Sequence, residues 1–375
     1  MADQRDPWGR GEESRPYIGL EADPYPSREE PPRRPPLPAG QWRAPPGLQR
    51  LPPRPAVPPV VKLKKALRQN ANAVCGGLTL VFVIGPLIVW IITAARWMIP
   101  RFDSAIIGLA PLPLGLINMS IQTLSLFLPA IIITRLLHMP AHQAFPMGRA
   151  SARLVVPGVF CCLGMAVVGG YISALLKVFF SATVGATPIS PDFSPPTHGL
   201  AETLLFVVGI SVIPAIFEEV LFRGVILQSL RRFGDGFALG MSSLLFAMLH
   251  RNFVQGPNAL LVGMVLGYFT LRAGSILPAI IMHFCNNLVV AVVSVISLYL
   301  PTRYAEMLNL SILPAYLVLG VVGVVLMVVL NGGFIRLHEE PGELGGRQKT
   351  ALFMLAPLAL LFTLVTLVQT IVYFE

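Results

Sequence analysis

Charge is what this chain has least of. Asp, Glu, Lys and Arg make up 13% of its 375 residues, while 54% are hydrophobic and mean hydropathy is +0.69. Apolar runs on that scale exceed what a soluble core can bury, so the composition excludes an ordinary soluble domain and indicates a polytopic membrane protein. The charge that is present sums to +9. Its placement excludes a nucleic-acid surface, because the basic residues sit in an N-terminal tail and in short loops, where they act as topology signals. Cysteine is scarce as well. Cys75, Cys161, Cys162 and Cys285 all lie inside apolar stretches without CxxC spacing, which excludes a disulfide framework or a zinc knuckle. Adjacent Cys161 and Cys162 are expected as packing residues.

Apolar periodicity is missing from the first 60 residues, which hold 16 of the 35 prolines, nine arginines and eight acidic residues. Stretches such as EEPPRRPPLPAG read as a disordered, polyproline-biased tail. The first strongly apolar run begins near Val74, after Lys62, Lys64, Lys65 and Arg68, so no signal peptide is expected ahead of it.

From Ala73 onward nine apolar segments follow, near 74–99, 115–137, 154–180, 203–229, 237–250, 257–272, 276–299, 311–331 and 351–373. The fold class is therefore all-α, a polytopic membrane helix bundle of about eight to nine transmembrane segments. The fifth and sixth segments are short for a hydrocarbon core of ~30 Å at ~1.5 Å per residue. Basic residues gather before the first segment, between the second and third, after the fourth, and between the eighth and ninth. Loop 181–202 has neither Lys nor Arg. That alternation predicts a cytoplasmic N-terminus in a multi-pass membrane protein, located in the cell membrane if the source is bacterial.

Carboxylates are confined to loops and span ends, with one exception. Glu218 and Glu219 stand together inside the run IPAIFEEVLFRG. A charged side chain at a bilayer centre costs at least ~2.5–3.5 kcal/mol on insertion scales, so the pair calls for a reason. Two histidines also lie within apolar runs, His250 and His283. Counted from the cytoplasmic loops, Glu218 falls roughly 18 Å deep, His250 roughly 20 Å and His283 roughly 12–15 Å, depths that overlap near the mid-membrane and make convergence geometrically possible. The short segments then form a hairpin whose tip, RNFVQG, lies at depth and must be buried in protein or line a cavity.

Helical spacing divides the labour. Glu219 and Arg223 are four apart with Glu first, the favourable order for an ion pair. Glu218 projects about 100° away, which leaves it for chemistry. His283 and Asn287 share a face, as do Phe246 and His250. A single buried Glu–Arg pair or a lone helical His is ordinarily structural. Together on three segments, a Glu, two His and an Asn around one cavity suit activation of a water and stabilisation of an oxyanion.

These residues fall in three short patterns. Glu218-Glu219-Val220-Leu221-Phe222-Arg223 resembles the EExxxR motif of the CPBP family of intramembrane proteases, the type II CAAX prenyl endopeptidase group. Phe246 to His250 resembles its FxxxH motif, and His283 to Asn287 its HxxxN motif. The resemblance covers roughly residues 200–298 and divides the chain into a tail (1–70), N-terminal spans (71–199), a protease-type core (200–298) and C-terminal spans (299–375). It implies Glu218 as the general base, aided by His250, with His283 and Asn287 as the oxyanion-stabilising pair. It further implies Glu219 and Arg223 as supporting residues, with Phe246 beside them. The substrate so implied is a membrane-associated or CAAX-like protein or peptide, met in a cavity open to the cytoplasmic side, with the lipid bilayer as the other partner.

Two chemistries stay open. HExxH, the usual zinc-peptidase spacing, is absent. His250, His283 and Glu218 are nonetheless donor types that hold a zinc with an open fourth position. A metal-free glutamate mechanism needs no cofactor. Outside proteolysis, the same polar residues suit a proton- or ion-coupled transporter, though no internal repeat supports one. A catalytically idle membrane scaffold is the remaining alternative.

Overall fold

The computed structural model describes residues 59–98, 111–189, 199–334 and 344–372, with Pro195 and Leu337 between them. The proline-rich segment up to residue 58 lies outside the described residues, as do Asp103, Asp192, His198, His338 and Glu339.

Among the described residues the fold is all helical. The chain runs α1 (Pro59–Met98), α2 (Pro111–Leu136), α3 (Ala152–Val184), α4 (Leu200–Phe233), α5 (Asp235–Leu249), α6 (Gly256–Ala273), α7 (Leu277–Tyr299), α8 (Thr302–Asn331), α9 (Gly346–Met354) and α10 (Pro357–Val372). Six of these, α1 to α4, α7 and α8, are long and apolar enough to cross a membrane. A seventh crossing arises if α9 and α10 form one broken span, bent by 75°. Pro357 accounts for the break, since it offers no N–H to continue α9 and restricts the residue before it.

The difference from a count of eight or nine lies in α5 and α6. At ~1.5 Å per residue, the 15 residues of α5 reach only ~22 Å, short of a ~30 Å core. They form a hairpin inside the bundle. Its tip finds protein partners, as a buried turn must. Asn252 Oδ1 accepts from the backbone N–H of Val254 at 2.7 Å, and its Nδ2 donates to the Ile189 carbonyl at 2.9 Å. Arg251 lies over the Phe82 ring of α1 and donates to Gln369 of α10.

Two apolar clusters hold the helices. One joins α1, α2, α4, α5, α9 and α10 through residues such as Leu67, Ile133, Phe222, Leu230, Phe353 and Phe362. The other joins α3, α6, α7 and α8 through Cys162, Leu266, Phe269, Met282 and Met327. Outward faces carry exposed Val and Leu, such as Val318, Val321, Val325 and Val329 on α8, as a lipid-facing surface requires.

α3 and α8 touch backbone to backbone. A Cβ on Gly164 would lie 2.5 Å from the Gly320 Cα, and one on Gly323 would lie 2.8 Å from the Pro157 carbonyl oxygen. Small residues permit this approach, which is how membrane helices gain packing without a hydrophobic driving force between them. Gly164→Val is therefore expected to lower stability by about 1–3 kcal/mol. The same change at Gly170, where a Cβ would meet nothing within 4 Å, is expected to have little effect. Unfolding of the detergent-solubilised chain distinguishes the two.

Candidate active site

The fourth helix is irregular where it carries the carboxylates. Val208–Val212 and Val220–Ile226 are π-helical turns flanking the α-helical stretch Ile213–Glu219. Pro214 explains the first. In an α-helix its N–H would bond to the Ile210 carbonyl, and proline has none. That carbonyl accepts instead from Asn287 Nδ2 on α7, at 3.1 Å. Asn287 is held on its other side by Asn286, whose Nδ2 donates to Asn287 Oδ1 at 3.1 Å. One N–H of the Asn287 amide is thereby committed, and the second remains. π-turns of this kind concentrate at functional sites.

Glu219 is fully buried and makes a two-sided contact. Its Oε1 accepts from Arg223 Nη1 at 2.8 Å and from His283 Nδ1 at 2.7 Å. The spacing argument anticipated the arginine; the histidine, 64 residues away, was not visible in it. Arg223 is also buried, donating through Nη2 to the Gly263 carbonyl at 3.0 Å and lying 4.5 Å over the Phe246 ring. A carboxylate only accepts, so His283 carries its proton on Nδ1 and turns Nε2 toward the cavity. There Nε2 stands 3.9 Å from Glu218 Oε2.

Phe246 occupies the centre of this group. Its ring meets Phe222 at 5.0 Å, His250 at 4.8 Å and His283 at 6.1 Å, each edge to face. His250 ends α5 and spends Nδ1 on the Phe246 carbonyl at 2.8 Å. A carbonyl accepts, so Nδ1 is the donor and Nε2 is left to act on whatever enters.

All four residues read from the sequence as candidate catalytic groups, Glu218, His250, His283 and Asn287, line one cavity of about 730 Å³, and Phe246 lines it too. Glu219 and Arg223 stand behind the wall. The sequence reading assigned no role to Asn286, Gln122, Gln255, Asn258 or Lys177, which also line it. Asn286 adjoins an anticipated residue and Lys177 interrupts an apolar run, but neither signal by itself names a role.

The zinc alternative requires His, Cys, Asp or Glu donors within reach of one ion. Among the described residues no three His, Cys, Asp or Glu side chains come together as a metal-binding group. His250, His283 and Glu218 share a cavity but, as arranged, do not form a ligand trio, so no step below is routed through a metal.

A helical multi-pass membrane protein with polar side chains converging on one cavity among its helices is the class that these features define. Residues 200–289 match the family described as type II CAAX prenyl endopeptidase Rce1-like, and the match covers about a quarter of the chain. No curated protein matches the chain. No solved structure matches it.

Proposed function

We propose that the chain is an intramembrane endopeptidase in which Glu218 activates a water for attack on a peptide bond. The observation that carries this reading is the 3.9 Å separation of Glu218 Oε2 and His283 Nε2 in the cavity wall. That distance is too long for a direct hydrogen bond and suits one bridging water. Glu218 takes a proton from the water as its oxygen adds to the carbonyl carbon. The remaining Asn287 N–H, and His283 Nε2–H when the ring is protonated, face the oxyanion that forms. His250 Nε2 accepts a hydrogen bond from the water or the substrate. Glu218 then passes its proton to the departing amine nitrogen, and the C–N bond breaks. Glu219 and Arg223 orient His283 and do not touch the substrate.

The core 200–298, a cytoplasmic N-terminus and a membrane-associated or CAAX-like substrate belong to the same proposal. The basic loops and the family match support them. Asn287→Ala frees the Ile210 carbonyl and removes an oxyanion donor, so a loss of about 10²–10³ in kcat is expected. The reading is tested on the purified chain in lipid nanodiscs, incubated with a mixture of apolar peptides. Hydrolysis yields fragment pairs whose masses sum to the parent plus one water. A proton or ion transporter with the same residues yields none, and that outcome would remove the protease reading.

A further inference from the structure

The cavity has a floor and a mouth, and hydrogen bonds between helix ends fix which way each faces. Basic side chains gather at one end of the bundle. Arg232, at the foot of α4, donates to the Ala66 carbonyl of α1, and Lys349 of α9 donates to the Phe233 carbonyl. Asn331, at the end of α8, donates to the Arg153 carbonyl of α3 and accepts from Arg272 at the end of α6. Ser275, just ahead of α7, donates to the Gly148 carbonyl. The starts of α1, α3, α7 and α9 and the ends of α4, α6 and α8 therefore lie together, with Lys62, Lys64, Lys65, Arg68, Arg149 and Arg347 in the same end segments. Under the positive-inside rule this is the cytoplasmic end.

Each helix rises well away from that end before it meets the cavity. Glu218 stands roughly 20 Å above Arg231, Phe246 roughly 16 Å above Asp235, Val262 roughly 15 Å above Arg272 and His283 roughly 12 Å above Ser275. These four residues line the floor. The turns beneath them are fully buried, with Phe222, Val225 and Ile226 on α4, Leu266 on α6, and Ala279 and Met282 on α7. The rest of the lining lies on the far side. Gly209 and Ile210 precede Glu218 on α4, Asn258 precedes Val262 on α6, and Asn287 and Val290 follow His283 on α7. Gly169 of α3 packs on Asn258. Just beyond it the lining residues Gly170 and Ala174 are exposed, as is Val290. The mouth is at that level, roughly 10 Å past His283 along α7. The resemblance implied a cavity open to the cytoplasmic side. Buried apolar turns close that side, and the lining opens toward the other end.

We propose that the substrate enters from the extracytoplasmic side, as the outer juxtamembrane stretch of a membrane-bound peptide. The proposal rests on the peptide-cleaving reading of the same cavity and on the cytoplasmic N-terminus. Roughly 10 Å from mouth to floor takes about three extended residues at ~3.3 Å each, so the bond cut lies a few residues inside the mouth. The stretch enters unwound, because a helical backbone bonds its own C=O groups and leaves none to face Asn287. Ile210, Val254 and Val290 line the route and suit apolar side chains. The water that Glu218 activates arrives by the same mouth.

The test reads access without hydrolysis, so that its failure and that of the protease reading are separable. One cysteine is added per full-length chain, at the lining positions Ser173 or Gln255, or at Arg149 on the basic end. Ser173→Cys changes little in size, and Gln255→Cys supplies an independent second position. Sealed right-side-out and inverted vesicles from expressing cells are treated with a membrane-impermeant maleimide, and labelling is read above that of the parent chain with its four native cysteines. Ser173→Cys and Gln255→Cys are expected to gain label in right-side-out vesicles only, and Arg149→Cys in inverted vesicles only. Labelling of the lining positions in inverted vesicles, in both kinds or in neither overturns the assignment. So does labelling of Arg149→Cys in the same vesicles as the lining positions. Outer labelling by a chain that cleaves no peptide in nanodiscs would sink the protease reading and leave the route standing.

Discussion

Arg223→Met is expected to destabilise the folded chain by about 3–5 kcal/mol, the cost of leaving a buried charge without its partner. Glu219 is fully buried and Arg223 is 1% exposed, so water reaches neither. Methionine keeps most of the volume and the contact with Phe246, which isolates the charge effect from a packing effect. What remains is a carboxylate held by His283 alone, its Oε2 without a hydrogen-bonding partner. Adding Glu219→Gln removes the orphaned charge. The double variant is therefore expected to recover part of the loss, giving a coupling energy of about 0.5–3 kcal/mol as residues in direct contact do. Detergent-phase unfolding of the four proteins measures it. Additive losses would show that the two side chains act independently and that the pair does not set the position of His283.

Glu218→Gln is expected to behave in the opposite way, with hydrolysis reduced by about 10²–10⁴ and stability nearly unchanged. Its carboxylate faces the cavity, 14% exposed, and is not part of the buried pair. Glutamine has the same shape and cannot take the proton of water. The two adjacent glutamates thus separate cleanly. A change at the first affects rate, and removal of the second's partner affects folding. If Glu218→Gln unfolded the protein, Glu218 would be a structural residue and the general-base assignment would fall.

The sequence made the membrane helices legible because a ~30 Å hydrocarbon core imposes a length on every span. It made the Glu219–Arg223 pair legible because residues four apart on one helix must meet. Counting depth along three segments left convergence of Glu218, His250 and His283 geometrically possible, and the three line one cavity. Other features required helices to be placed against each other. The bond from His283 to Glu219 joins α7 to α4, and nothing local in either segment signals it. Pro214 was plain in the sequence, but that its freed Ile210 carbonyl is met by Asn287 depends on where α7 packs. The 75° break before α10 and the docking of Arg251 on Phe82 are tertiary in the same sense. Local spacing set the charge pair, and packing decided which histidine it holds.

The central claim is that Glu218 serves peptide hydrolysis, and the most direct measurement is a comparison of membrane-protein termini in cells. One culture expresses the wild-type chain and the other Glu218→Gln at matched level. The account predicts a set of new termini in the wild-type membranes that vanish in the variant, and those termini name the substrates. Coincident profiles across several growth conditions, with both proteins folded in the membrane, would contradict it and leave Glu218 to transport or to structure.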